Sequence, residues 1–161
     1  MLYDLMKQKN IRSRLVYFIV IALILVLIIL YLPFSHIKRF DIEKVCIKSK
    51  CFSVELAQSP SEREQGLSYR SNLDEDKGML FIFQQPMITH FWMKDTLIPL
   101  DIIWINDRNE IIYLEKNAQP CNIEPCKLYG PDKPSKYVLE INANLSEKYG
   151  FSIGDKISWK K

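Results

Sequence analysis

An unbroken apolar run, Leu15 to Leu32 (LVYFIVIALILVLIILYL), constrains this 161-residue chain more than any other feature. It holds neither a charge nor an amide. As a helix it would span about 27 Å, close to the hydrocarbon core of a bilayer. The buried helix of a soluble domain keeps a polar face, and this run has none. A cleaved signal peptide has a shorter apolar stretch, roughly 7–15 residues, with small residues before the cut. Here PFSHIKRF follows, without A-x-A, and the first cysteine after the run is Cys46. The run reads as an uncleaved transmembrane anchor.

Charge supports that reading and limits the partners. The formal net charge is +3, and the excess lies before Pro33, where Lys7, Lys9, Arg12 and Arg14 oppose Asp4. Beyond Pro33 the basic and acidic residues balance. The remainder therefore offers no electrostatic footprint for nucleic acid. Basic residues before the span slightly outnumber those shortly after it (Lys38, Arg39 and Lys44), which favours a cytoplasmic N-terminus. All four cysteines, Cys46, Cys51, Cys121 and Cys126, follow the span, and an even, closely paired set suits an oxidising compartment. The organisation expected is a cytoplasmic tail (1–14), an anchor (15–32), a stalk (33–44) and an extracytoplasmic domain (45–161).

That domain reads as mainly β. Phe52 to Ala57 alternates with Phe52, Val54 and Leu56 on one side. Ser59-Pro60-Ser61-Glu62 is a helix start, with a Ser N-cap, Pro at the first position and Glu three residues after the cap. Gly66 stops that helix. Strands are expected at 79–84, 88–94, 98–105, 110–116, 137–141 and 156–159, with a turn at 106–109 and a second short helix at 144–149. Many short strands with two small helices point to a compact β-sandwich or barrel behind the transmembrane helix.

Cys46/Cys51 and Cys121/Cys126 share one spacing, and two local disulfides are the simplest use of them. A four-cysteine zinc site is a weaker alternative, because such sites favour tighter C-x2-C knuckles. A redox-active Cys121/Cys126 pair is another, though it lacks C-x-x-C spacing. With only His36 and His90, no metal cluster can be assembled from histidines, and neither a serine nucleophile elbow nor a phosphate loop is present. No cofactor is implied.

Two places carry unusual polar groups. In His90-Phe91-Trp92-Met93-Lys94, strand alternation puts Phe91 and Met93 towards a core and His90, Trp92 and Lys94 on the other face. A tryptophan beside a lysine is a common ligand surface, and also a common sheet edge. Asp101 sits among Ile98, Leu100, Ile102 and Ile103 and shares a face with Ile103 and Ile105. A carboxylate there must be paired or hydrogen-bonded, as an internal anchor or as part of a pocket.

The stretches SEREQGLSYR (61–70), KGMLFIF (77–83), FWMKDTLIPLDIIWI (91–105), NAQPC with a following PC and YG (117–130), and YVLEINA (137–143) resemble the family called domain of unknown function 192. The resemblance covers nearly all of the domain. It implies a compact, mainly β, jelly-roll-like module, often exported or membrane-anchored, and carries no biochemical activity with it. The family pattern usually has Asn where this chain has Asp95.

The expected role is a binding or interaction module outside the membrane, its ligand or protein partner in the envelope. Arg70, Trp92, Lys94, Asp101 and Tyr129 are the candidates for a shared groove, with cations for anionic groups, rings for stacking and Asp101 to orient a cation. A hydrolase using Asp101 with Lys94 or Arg70 is the alternative. A thiol-redox role for Cys121/Cys126 is a further one.

Overall fold

The computed structural model describes residues 17–27 and 42–161. Residues 17–27 form helix α1, whose apolar side chains, among them Phe18, Leu23 and Leu25, are exposed. The expected anchor (15–32) extends beyond the described residues at both ends. Among those described, no helix is long and apolar enough to cross a membrane.

From residue 42 onward the chain builds one sheet. Its strands are β1 (Lys44–Ile47), β2 (Lys50–Ala57), β3 (Lys77–Met87), β4 (Leu100–Ile105), β5 (Ile111–Ala118), β6 (Ser135–Asn142) and β7 (Ile157–Lys160). Helices α2 (Pro60–Gln65) and α3 (Leu145–Lys148) are short. The spatial order is β5-β4-β6-β3-β2-β1-β7. Every pairing is antiparallel except β2 with β3. Helix α2 lies in that parallel crossover. Its start is a capping box: Ser59 Oγ accepts from Glu62 N, and the Glu62 carboxylate accepts from Ser59 N at 2.7 Å.

Of the expected sandwich or barrel, the mainly β character holds, and the strands form a single curled, half-barrel sheet rather than two packed sheets. The outer strands β5 and β7 approach each other through a bridge between Glu110 and Lys156, and Ile157 N donates to Asn109 O at 2.8 Å. Curling creates two different faces. The face shared by both outer strands packs Val45, Phe52, Leu80, Ile103, Ile111, Leu139 and Ile157. The opposite face packs Met79, Phe81, Phe83, Ile102, Trp104 and Val138, covered by Leu67, Met93 and Phe91 from the connections. Central strands are thus buried on both sides, which is why MLFIF and LDIIWI read as continuous apolar runs rather than alternating ones.

The segment expected as a strand at 88–94 is irregular. Its β-pairing with neighbouring chain consists of the isolated bridges Phe91–Tyr129 and Lys94–Cys121. Its side chains still alternate, with Met93 buried and Trp92 exposed. Asp95 ends it with a left-handed φ of 56°. That conformation suits Asn and Asp alike, so the family's Asn and this chain's Asp95 can serve one backbone need.

Both disulfides are formed, Cys46–Cys51 and Cys121–Cys126. The first joins residues directly opposite in the β1–β2 hairpin. The second closes the irregular 121–126 loop, which Cys121 N anchors to Met93 O at 3.0 Å.

Close approach between β3 and β6 demands glycine at one position. A Cβ on Gly78 would lie 2.6 Å from the carbonyl oxygen of Glu140. Gly78→Ala is expected to cost about 2–4 kcal/mol by forcing these central strands apart. Chemical denaturation measures it, and a loss under 0.5 kcal/mol would show that the strands yield freely.

Candidate functional site

Above the second face, α2 and the 88–96 segment enclose a cavity of about 390 Å³. Phe81, Phe83 and Phe91 form its aromatic walls, Met87 and Ile88 lie at one side, and Trp92 and Lys94 stand at its edge. The Phe81 and Phe91 rings meet edge-to-face at 4.8 Å, and Phe91 meets Trp104 at 5.7 Å. Trp104 Nε1 donates to Thr89 O at 3.1 Å, and the Thr89 and Ser135 hydroxyls lie 3.0 Å apart. These bonds hold the covering segment onto the sheet. Gly66 opens the other side: a Cβ there would meet the Phe81 ring at 3.3 Å, and its φ of 49° disfavours any side chain.

The cations near the cavity already have partners. Arg63 donates to Gln58 O and to Ile82 O, and its guanidinium lies 5.2 Å from the Phe83 ring centroid. Lys94 pairs with Glu124 and lies 5.4 Å from the Trp92 ring centroid. The Glu124 carboxylate raises Lys94 above the ordinary lysine range. Trp92 is 52% exposed, a large ring offered to solvent.

Of the five candidates, the structure brings only Trp92 and Lys94 together at this cavity. Arg70 instead makes a two-pronged ion pair with Glu55, at 2.5 and 2.6 Å, which raises Arg70 and lowers Glu55. Tyr129 pairs its backbone with Phe91 and lines a separate hollow with Met93, Gln119 and Cys121, its ring beneath Lys127. Asp101 lies on the other face of the sheet and is 0% exposed. Its oxygens accept from the backbone N–H groups of Asn117, Asn144 and Ser146, at 2.8, 3.1 and 2.7 Å. The anchor reading of Asp101 is therefore the observed one. The shared groove of five residues is not assembled, because strand alternation turns Asp101 away from Trp92.

One cavity residue was missed by the sequence argument. Glu140 on β6 is 5% exposed and lines the cavity. It stands opposite Met79 of β3 and Ile102 of β4, on the same face as Val138. Burial raises its carboxyl to about 8, so it is mostly protonated at neutral pH. The signal was available: a lone acid inside the apolar stretch YVLEI is the same anomaly that marked Asp101. Among the described residues, no three His, Cys, Asp or Glu side chains gather as a metal site.

The family model of DUF192 (Uncharacterized ACR) matches residues 43–159. The chain belongs to the domain of unknown function 192 family. UPF0127 protein PF1050 of Pyrococcus furiosus is 26% identical over 62 residues, which is 38% of this chain and about half (48%) of that relative's length. Two solved structures share the fold seen here. A protein of unknown function from Novosphingobium aromaticivorans superposes with a TM-score of 0.68 at 32% identity, covering 79% of this chain and 89% of its own. A Sinorhizobium meliloti protein described as a "putative transcription regulator" gives 0.66 at 37% identity, covering 72% and 90%.

Proposed function

We propose that this chain is a membrane-anchored binding module whose domain is displayed outside the membrane. Its ligand would be a small molecule or a single side chain held in the cavity between α2 and the 88–96 segment. The observation that carries the reading is the cavity itself, about 390 Å³, walled by phenylalanines and edged by an exposed Trp92. Sites for small ligands have this size, and here aromatic walls meet polar and charged groups, among them Arg63, Thr89 and Glu140, that can orient a ligand. The apolar run Leu15–Leu32 supports anchoring, and the two disulfides support an oxidising compartment. The hydrolase alternative loses its base, since all three contacts of Asp101 are structural.

Two measurements test the reading. A thermal-shift screen of small envelope constituents on the full chain in nanodiscs should yield a ligand whose stabilisation is lost in Ser68→Trp, which fills the cavity. An empty screen, or a ligand indifferent to Ser68→Trp, overturns the cavity assignment. On intact cells, an impermeant thiol reagent should label the cysteines only after reduction. Labelling that requires lysis overturns the outside placement.

A further inference from the structure

Resting on the cavity reading above, Glu140 names the chemistry of the occupant. The residue is 5% exposed, lines the cavity, and its carboxyl has no hydrogen-bond or ion-pair partner among the described residues. Asp101, buried in the same sheet, has three N–H partners. An unpartnered buried carboxyl is costly, and an apolar residue at position 140 would suit the surrounding Met79, Ile102 and Val138 better.

The groups around it decide the sign of the ligand. On the same face, β3 presents Met79, Phe81 and Phe83, and β4 presents Leu100, Ile102 and Trp104, with no charge among them. The covering elements bring Arg63 and Glu64 from α2, and His90 and Lys94 from the 88–96 segment. Arg63 is bonded to two carbonyl oxygens, and Lys94 is paired with Glu124. Glu64 and His90 are exposed at the rim. No internal cation is left to meet Glu140, and the cavity's aromatic rings attract positive charge. An anionic ligand seated against Glu140 would meet a carboxyl whose ionised form repels it.

We propose that the cavity takes an organic ammonium group on a short apolar stem, its nitrogen against the Glu140 carboxylate and its carbons against Phe81, Phe91 and Trp92. The carboxyl is mostly protonated at neutral pH, so the cation displaces that proton to solvent: one proton leaves as one positive charge enters. Net charge in the site is conserved, and the carboxylate forms only when its partner is present.

The test is calorimetry on the full chain in nanodiscs, at pH 7 and pH 9. Choline is one cationic probe, 3,3-dimethyl-1-butanol is its neutral match, and n-butylammonium represents a primary amine. Choline keeps its charge at both pH values. Its affinity should rise about tenfold from pH 7 to pH 9, as the ionised fraction of Glu140 goes from about one-tenth to about nine-tenths. At pH 7 the heat should vary with the buffer's ionisation enthalpy, reporting proton release. Glu140→Gln should lose at least tenfold in choline affinity and all of the pH dependence, yet bind the neutral alcohol as before, which shows that the variant is folded. Phosphocholine and Nα-acetyl-lysine methylamide then separate a lipid headgroup from a peptide side chain as the source. Equal binding of choline and the alcohol, or choline binding unaffected by Glu140→Gln, overturns the ammonium assignment while the cavity reading stands. Failure of every probe, neutral and cationic, counts against both.

Discussion

Asp101→Ala should lower stability by about 4 kcal/mol or more, the largest single loss expected in the domain. Three backbone N–H groups would be stranded at once, and hydrogen bonds to a charged acceptor are worth about 1.5–3 kcal/mol each. The contributions are not additive, so the lower total is expected. The damage would spread, because the three donors come from separate places. Asn117, the penultimate residue of β5, has a left-handed φ of 54°, Asn144 precedes α3 with a φ of 69°, and Ser146 lies in the first turn of α3. Asn144 makes no side-chain cap of its own, so Asp101 caps α3 from another strand. Asp101→Asn separates charge from geometry. Its amide oxygen can keep the Asn117 and Asn144 bonds, but its NH2 would face the Ser146 N–H, and a loss of about 2 kcal/mol is expected. Urea denaturation of both variants checks this. If alanine and asparagine cost the same small amount, the anchor role fails.

The second large effect runs in the opposite direction. Glu140→Gln should stabilise the protein at pH 8 and leave it unchanged near pH 4. In the folded chain the Glu140 carboxyl holds its proton up to about pH 8, whereas its ordinary value is 4.5. Between those values the unfolded chain has lost the proton and the folded chain has kept it, so stability falls as pH rises. The full difference is on the order of 4–5 kcal/mol at pH 8 and above. Glutamine removes the titration and flattens the curve. Surface carboxylates do not confuse the window. Glu110, held at about 2 by Lys156 and Asn106, contributes stability that is lost only as pH falls below 4.5. Denaturation of wild type and Glu140→Gln from pH 4.5 to 9 decides the matter, and parallel curves would show that the carboxyl is solvated after all.

Much of the local structure was legible in the residues. The Ser59–Glu62 capping box, the stop at Gly66, the turn at 106–109 and most strands follow from short-range chemistry that needs only a few neighbours. The cysteine pairs were legible for the same reason, since each closes a loop of a few residues. The 88–94 segment misled because its alternation is real but its ladder is missing. It pairs only at Phe91 and Lys94, with chain some thirty residues away, and sequence carries no mark of that.

Asp101 and Glu140 show where the boundary lies. Each is an acid in an apolar strand, and from the residues alone each has the same meaning: a carboxyl that requires an explanation. Strand period fixes which neighbours share its side, Ile103 and Ile105 for one, Val138 for the other. Only the curled sheet assigns what lies opposite. It brings Asn117, Asn144 and Ser146 to Asp101 and closes that side, while it leaves Glu140 facing a cavity walled by rings. The sequence by itself determined the strands, the caps and the family. The tertiary structure decided which carboxyl is an anchor and which faces the cavity, because hydrogen-bond partners 16 to 45 residues away are set by topology and not by local pattern.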